Sequence, residues 1–277
     1  MNYVNKIQND TNSVPLQGLG VINRINYLFQ QKKENILSVY FTAGFPKLED
    51  TVPTLKCLQA NGVDLVEIGV PFSDPMADGI VIQNSSQQAL QNGMSIRKLF
   101  EQLTAVRAEI HIPLIMMGYL NPIMQFGFEN FCKECHRVGV DGMIIPDLPM
   151  SDFMAEYKEI AERYKMEFIF LITPETSDER ILEIDSHTNG FIYMVSSAAT
   201  TGTQTSFDNK VDYFNRINSM NLKNPRLVGF GISNKSTRDM VNRYSSGAII
   251  GSAFIKALQE TQDVEKGVKL LLENLEK

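Results

Sequence analysis

Short runs rich in Val, Ile, Leu, Phe and Met recur along the chain, each followed by a break of Gly, Pro, Asp or Asn and then by a longer amphipathic segment. The runs fall at 36–43, 65–69, 113–117, 142–146, 167–172, 190–196, 226–230 and 247–251. A brief apolar run bounded by turn formers reads as a strand covered on both faces, and strands alternating with helical patterns read as βα units on a parallel sheet. Eight such units close a barrel. The expected fold is therefore α/β, a single-domain (β/α)8 TIM barrel with an extra N-terminal helix. A doubly wound open sheet is the structural competitor, but its G-x-G-x-x-G fingerprint is absent.

Helix starts are marked by Asp50 before Thr51-Val52-Pro53, by Ser151 or Asp152 before the segment to Tyr164, and by Ser177 or Asp178 before that to His187. A helix over 21–33 is expected to plug the bottom of the barrel, and one over 260–275 to close the chain. Residues 1–20 are polar and Asn-rich (Asn2, Asn5, Asn9, Asn12) and read as a flexible N-terminal tail, leaving 21–277 as the barrel domain.

The 277 residues, 43% hydrophobic and 21% charged, suit a globular protein with a large core. A formal charge of −6, with no dense Lys/Arg run, argues against broad binding to a phosphate backbone and leaves small substrates and protein partners. No secretory pattern opens the chain and no apolar run is long enough to span a bilayer, so a cytoplasmic location is expected. Cys132-Lys133-Glu134-Cys135-His136 matches the C-x-x-C-H pattern of haem attachment. Its cysteines instead share an apolar helical stripe with Val138, which predicts core thiols. His111, His136 and His187 have no ligand-like spacing, and no metal site is expected.

In a barrel the chemistry sits where strands deliver the chain to their C-terminal ends. There the second run gives Glu67-Ile68-Gly69-Val70-Pro71-Phe72-Ser73-Asp74-Pro75-Met76-Ala77-Asp78-Gly79, an apolar strand carrying a carboxylate into an acidic, Gly/Pro-broken loop. Glu67 shares its face with Leu65 and Gly69, and no Lys or Arg lies between Lys56 and Arg97. Burial without a local cation predicts a raised pKa, which suits a group that gives and takes a proton near neutrality. Gly229-Phe230-Gly231-Ile232-Ser233 and Gly251-Ser252-Ala253-Phe254 place small residues at the seventh and eighth loops, where backbone N–H groups can hold a phosphate. The polar segment 196–208 after the sixth strand is a candidate lid.

These blocks, together with Thr42-Ala43-Gly44-Phe45-Pro46, Gly118-Tyr119-Leu120-Asn121-Pro122, Asp147-Leu148-Pro149 and Thr201-Gly202, occur in order on successive strands, and the chain resembles the tryptophan synthase alpha subunit family from about Ile22 to Lys256. The resemblance implies a lyase that cleaves indole-3-glycerol phosphate to indole and glyceraldehyde 3-phosphate in L-tryptophan biosynthesis, with no cofactor in this subunit. It makes Glu67 the acid/base and Asp78 the carboxylate that holds the indole N–H, the first desolvated and the second wetter. It places Gly202, Gly231, Gly251 and Ser252 at the phosphate, Tyr193 beside the catalytic carboxylate and Thr201 on the lid. Phe41, Tyr119, Ile144 and Phe230 become candidate apolar walls for the ring.

The resemblance also implies a beta subunit carrying pyridoxal phosphate, an αββα heterotetramer, and Pro71 and Asp74 on the surface that meets it. The chain departs from the family pattern in its lid, which lacks an earlier glycine and arginine, and at Ile80 and Phe191, where Pro and Tyr are frequent. Two other readings stand beside this one: another phosphate-binding barrel isomerase or synthase, and a non-catalytic activator of a beta subunit.

Overall fold

The computed structural model describes residues 23–196, 207–229 and 231–277. All strand pairs are parallel, and each strand except Glu167–Phe168, which runs straight into Leu171–Ile172, is followed by helix. The strands are β1 (Ile36–Thr42), β2 (Leu65–Gly69), β3 (Leu114–Met117), β4 (Gly142–Ile144), β5 (Glu167–Phe168), β6 (Leu171–Ile172), β7 (Ile192–Val195), β8 (Arg226–Gly229) and β9 (Gly247–Ile250). Their order in the sheet is β5-β4-β3-β2-β1-β9-β8-β7-β6.

The two ends of that order are halves of one run. Between β5 and β6 the Ile169 N–H donates to the Met143 carbonyl at 3.0 Å, and the Phe170 carbonyl accepts from the Tyr193 N–H at 3.0 Å. The run 167–172 thus holds one neighbour with its first half and the other with its second, and the sheet closes into an eight-stranded barrel.

Alternation along each strand divides the apolar residues between two regions. Ile36, Leu65, Ile115, Ile144, Ile169, Phe191, Leu227 and Ile249 fill the barrel interior. The opposite faces, with residues such as Val39, Val66, Met116 and Met143, pack against the surrounding helices.

The helix before β1, Arg24–Gln31, seals the bottom as expected, sending Ile25 and Phe29 into the interior cluster. Asn23 caps it by accepting from the Ile25 N–H at 2.9 Å and also donates to the Asp141 carbonyl at 2.8 Å. Arg24 and Arg107 both pair with the buried Asp141, which fixes this helix to the start of β4. Gly142 leaves room for the plug, since a Cβ there would come within 2.9 Å of Ile25 Cδ1.

Two boundaries differ from the sequence expectation. The segment to Tyr164 begins at Met150, after Pro149, and passes through a π-helical turn at Phe153–Tyr157. The closing segment is two helices, Ser252–Thr261 and Val264–Glu276. The break comes at Gln262, in the left-handed region, and at Asp263, whose carboxylate caps the last helix by accepting from the Lys266 N–H at 2.9 Å.

The helix Phe128–Val138 buries Cys132, Cys135 and Val138 together, and burial pushes the Cys132 thiol up to about 12. That is the behaviour of core thiols. Among the described residues no group of His, Cys, Asp and Glu is placed to hold a metal ion, and no helix is long and apolar enough to cross a membrane. The tail 1–20 lies outside the described residues.

Candidate active site

The C-terminal mouth of the barrel opens into a cavity of about 470 Å³, lined by Glu67, Asp78 and Tyr193 together with Gly231, Gly251 and Ser252. Five separate segments bring these residues together. β2 supplies Glu67, the loop after it Asp78, β7 Tyr193, the turn after β8 Gly231, and the start of the helix after β9 Gly251 and Ser252.

Glu67 is fully buried because its strand lies between two others and its face looks inward. Its Oε1 accepts from the Ser38 hydroxyl at 3.0 Å; its Oε2 has no hydrogen-bond partner among the described residues. Desolvation lifts the carboxyl to about 8, with the Ser38 hydroxyl pulling the other way. The group therefore holds a proton at neutrality and can lose it at little cost.

Asp78 occupies a less enclosed position. Burial raises it to about 6, moderated by the Tyr119 hydroxyl, which donates to Oδ2 at 3.0 Å. At neutrality Asp78 is mainly ionised while Glu67 is mainly protonated. Two carboxyls facing one cavity thus differ in charge at neutrality, because their surroundings desolvate them to different degrees.

The helix Ser252–Thr261 begins at the cavity lining, with Gly251 as its N-cap and no side-chain cap bond. Its first N–H groups face a potential anion, and the helix dipole adds to the attraction. Gly231 has φ +77°, a left-handed conformation that favours glycine. Lys256, one turn into the same helix, lines the cavity too and supplies a cation that the loop glycines do not.

Tyr193, expected beside the carboxylate, lines the cavity with Glu67. The expected ring walls divide. Tyr119 reaches the site through Asp78 and stacks its ring beside Phe72 at 5.4 Å. Ile144 packs in the barrel interior beside Met117, and Met117 is the one that reaches the cavity.

Phe41 is a correction. It is paired with Ile68 on the face turned to the helices, whereas Tyr40, paired with Glu67, lines the cavity. The signal was present in the sequence: Ser38, Tyr40 and Thr42 alternate with Leu37, Val39 and Phe41, and the polar set marks the inward face. Ile82 and Ile249 complete the apolar lining. Thr201, Gly202 and Phe230, with most of the expected lid 196–208, lie outside the described residues.

The loop between the carboxyls presents Asp74 to solvent, but Pro71 is buried beneath it. Its large exposed apolar side chain is Met76, 85% exposed, and Ile80, just past Asp78, is 67% exposed. Ile80 opens the helix Ile80–Gln91, a position at which proline also fits because the first turn's N–H has no helical acceptor.

Comparison with known proteins agrees with this geometry. The tryptophan synthase alpha chain of Parabacteroides distasonis is 62% identical over 255 residues, covering 92% of this chain and 99% of that one. That of Bacteroides thetaiotaomicron is 59% identical over 255 residues, covering 92% and 100%. The crystal structure of tryptophan synthase subunit alpha from Legionella pneumophila superposes with a TM-score of 0.84 at 32% identity, over 92% of this chain and 97% of that one. The alpha-chain match in the tryptophan synthase complex of Pyrococcus furiosus gives 0.78 at 34% identity, over 88% and 98%. The family model described as tryptophan synthase alpha chain matches residues 27–277, and the chain belongs to that family.

Proposed function

We propose that the chain cleaves indole-3-glycerol phosphate to indole and glyceraldehyde 3-phosphate, with Glu67 as the acid/base and Asp78 as the anion that holds the ring nitrogen. The observation that carries this reading is the pairing of a protonated, buried Glu67 with an ionised Asp78 in one cavity that is also lined by an uncapped helix start.

Indole leaves poorly as a carbanion, so C3 of the ring must be protonated first. Glu67 gives its proton to C3, and the positive charge that reaches the ring nitrogen is met by Asp78. The Glu67 carboxylate then takes the proton of the side-chain hydroxyl as the carbon–carbon bond breaks. The bonding electrons restore the aromatic ring, the hydroxyl carbon becomes an aldehyde, and Glu67 regains its proton. Gly231, Gly251, Ser252 and Lys256 would hold the phosphate, and Tyr40, Ile82 and Met117 would flank the ring.

These steps are proton transfers, so the reading assigns no cofactor to this chain and places pyridoxal phosphate in a beta partner. Asp74, Met76 and Ile80 form the exposed face of the catalytic loop and are the surface assigned to that partner in an αββα assembly. A cytoplasmic biosynthetic role follows from the same reading.

Indole release by the purified chain, alone and with a beta chain, tests it. Glu67→Gln should lower cleavage by about a hundredfold or more, the usual scale for removing a general acid/base. Stimulation of a beta chain with no dependence of indole release on Glu67 would favour the activator reading.

A further inference from the structure

The inner face of β1 carries three polar side chains, Ser38, Tyr40 and Thr42, in a barrel interior filled mainly by Ile, Leu, Val and Phe. Thr42 shares a hydrogen bond with Ser85 at 2.7 Å, and Tyr40 lines the cavity. Ser38 lies deeper, fully buried, and its hydroxyl donates to Glu67 Oε1. A hydroxyl so enclosed costs free energy unless it is bonded, and an alanine would fill most of the same space. Its placement against one oxygen of Glu67 therefore calls for a role.

We infer that Ser38 is the positioning residue of Glu67: by holding Oε1 it fixes the carboxyl so that Oε2 is the oxygen that delivers and recovers the proton. The inference rests on the acid/base reading of Glu67 given above and extends it to a residue outside the reacting shell.

Three observations support it. Oε2 has no hydrogen-bond partner among the described residues, so it is available to a guest while Oε1 is occupied. Strand register sets the approach: Tyr40 is paired with Glu67, which puts Ser38 two positions down the same face, beneath the carboxyl and away from the cavity lining. Finally, a hydroxyl suits a carboxyl that changes state during turnover. It donates to Oε1 of the carboxylate and, because the proton is carried on Oε2, goes on donating to Oε1 as the carbonyl oxygen of the acid. A lysine or arginine there would hold Glu67 ionised throughout.

Among the described residues, the titratable groups facing Glu67 are Tyr40 from β1, Tyr193 from β7 and Asp78 from the loop, with Lys256 and Glu260 farther along the cavity. β3 and β9 contribute Met117 and Ile249 to the same lining. The bond to a charged carboxylate is stronger than that to the neutral acid, so losing the hydroxyl favours the protonated form.

The test compares Ser38→Ala, Ser38→Thr, Glu67→Gln and the wild-type full chain with a beta chain present, following indole release across pH and thermal unfolding of each variant. Ser38→Ala should lower kcat by about tenfold, the worth of one hydrogen bond to a charged group. KM should stay within about twofold, because Ser38 does not touch the substrate. The alkaline limb of kcat/KM, where Glu67 loses its proton, should move up by about half a unit to one unit. Ser38→Thr should restore both the rate and the limb.

Wild-type kcat and an unmoved limb in Ser38→Ala would overturn the inference. So would a loss of rate that follows a fall in thermal stability with the limb unmoved, which is what a packing role alone would give. If Thr folds poorly at this enclosed site, the pH limb of Ser38→Ala decides by itself. If Glu67→Gln cleaves at the wild-type rate, the acid/base reading falls and takes this inference with it. If Glu67→Gln is inactive and Ser38→Ala is normal, only the inference falls.

Discussion

The Tyr119 hydroxyl stands between the backbone and the carboxylate of the catalytic loop, accepting from the Ala77 N–H at 2.9 Å and donating to Asp78 Oδ2 at 3.0 Å. A residue from the end of β3 thus fixes a loop that leaves β2, and it keeps Asp78 from rising further above its ordinary pKa. In Tyr119→Phe, Asp78 loses the donor that favours its ionised form, so its pKa moves above about 6. The acidic limb of the kcat/KM profile should shift to higher pH, and kcat/KM at neutrality should fall about tenfold. The substrate phosphate titrates in the same region, but its own pKa cannot change with the variant. Movement of the limb therefore reports on Asp78.

Glu67 makes stability depend on pH in a direction opposite to that of a salt-bridged acid. Its pKa is about 8 in the folded chain against an ordinary value of 4.5. Below the lower value both folded and unfolded chains carry the proton, and the group costs nothing. Between the two the unfolded chain is ionised while the folded one is not, so stability falls steadily as pH rises, and the loss is complete above the folded value. Gln has no proton to lose. Glu67→Gln should raise stability by a few kcal/mol at about pH 9 and have little effect at about pH 4, measured by urea unfolding.

Two tyrosines of the site lean over glycines. A Cβ at Gly69, at the end of β2, would overlap the Tyr40 hydroxyl, and one at Gly229, at the end of β8, would overlap that of Tyr193. Gly69→Ala should push Tyr40 toward the cavity. The expected loss is about 1–3 kcal/mol of stability from overpacking. Displacing a group beside the reacting carboxyl by about an ångström should also cost about a hundredfold in kcat/KM. Urea unfolding and indole release measure the two effects separately.

The barrel was legible because its strands announce themselves as apolar runs between turn formers, and seven of the eight sit within a residue or two of the bounds the pattern gives. The fifth run, 167–172, is one run as expected but splits into β5 and β6 because it must hold both ends of the sheet. Glu67 and Asp78 were legible because carboxylates at a strand end and in a Gly/Pro loop have few structural reasons to be there. Phe41, placed at the ring by the resemblance, misses the cavity because the other parity of β1 faces inward, as Ser38, Tyr40 and Thr42 mark. Lys256 was missed because a lysine in a helix is usually solvent-facing, and only the placement of that helix at the mouth brings it to the cavity. The helix break at Gln262 was hidden because its only marks are a left-handed residue and an Asp cap, neither of which interrupts the apolar periodicity.

The ion cluster at Asp141 belongs to the fold and not to the chemistry. Its carboxylate takes Arg24 from the plug helix, Arg107 from the short helical turn before β3, and the Leu114 N–H at 2.9 Å. Asp141→Asn leaves two guanidinium groups short of their counter-charge and should cost about 3–5 kcal/mol of stability. The reacting groups sit at the other end of the strands, so kcat/KM of the folded variant should be unchanged when indole release is measured well below its unfolding temperature.

The wedge of Ile25 under Gly142 has a bearing on traffic. A tube stoppered at its base by aliphatic side chains and clamped there by ions is a blind alley, so nothing travels along its axis. Whatever enters at the rim must depart across the rim. Both cleavage fragments therefore leave at the mouth end of the barrel and not through its base.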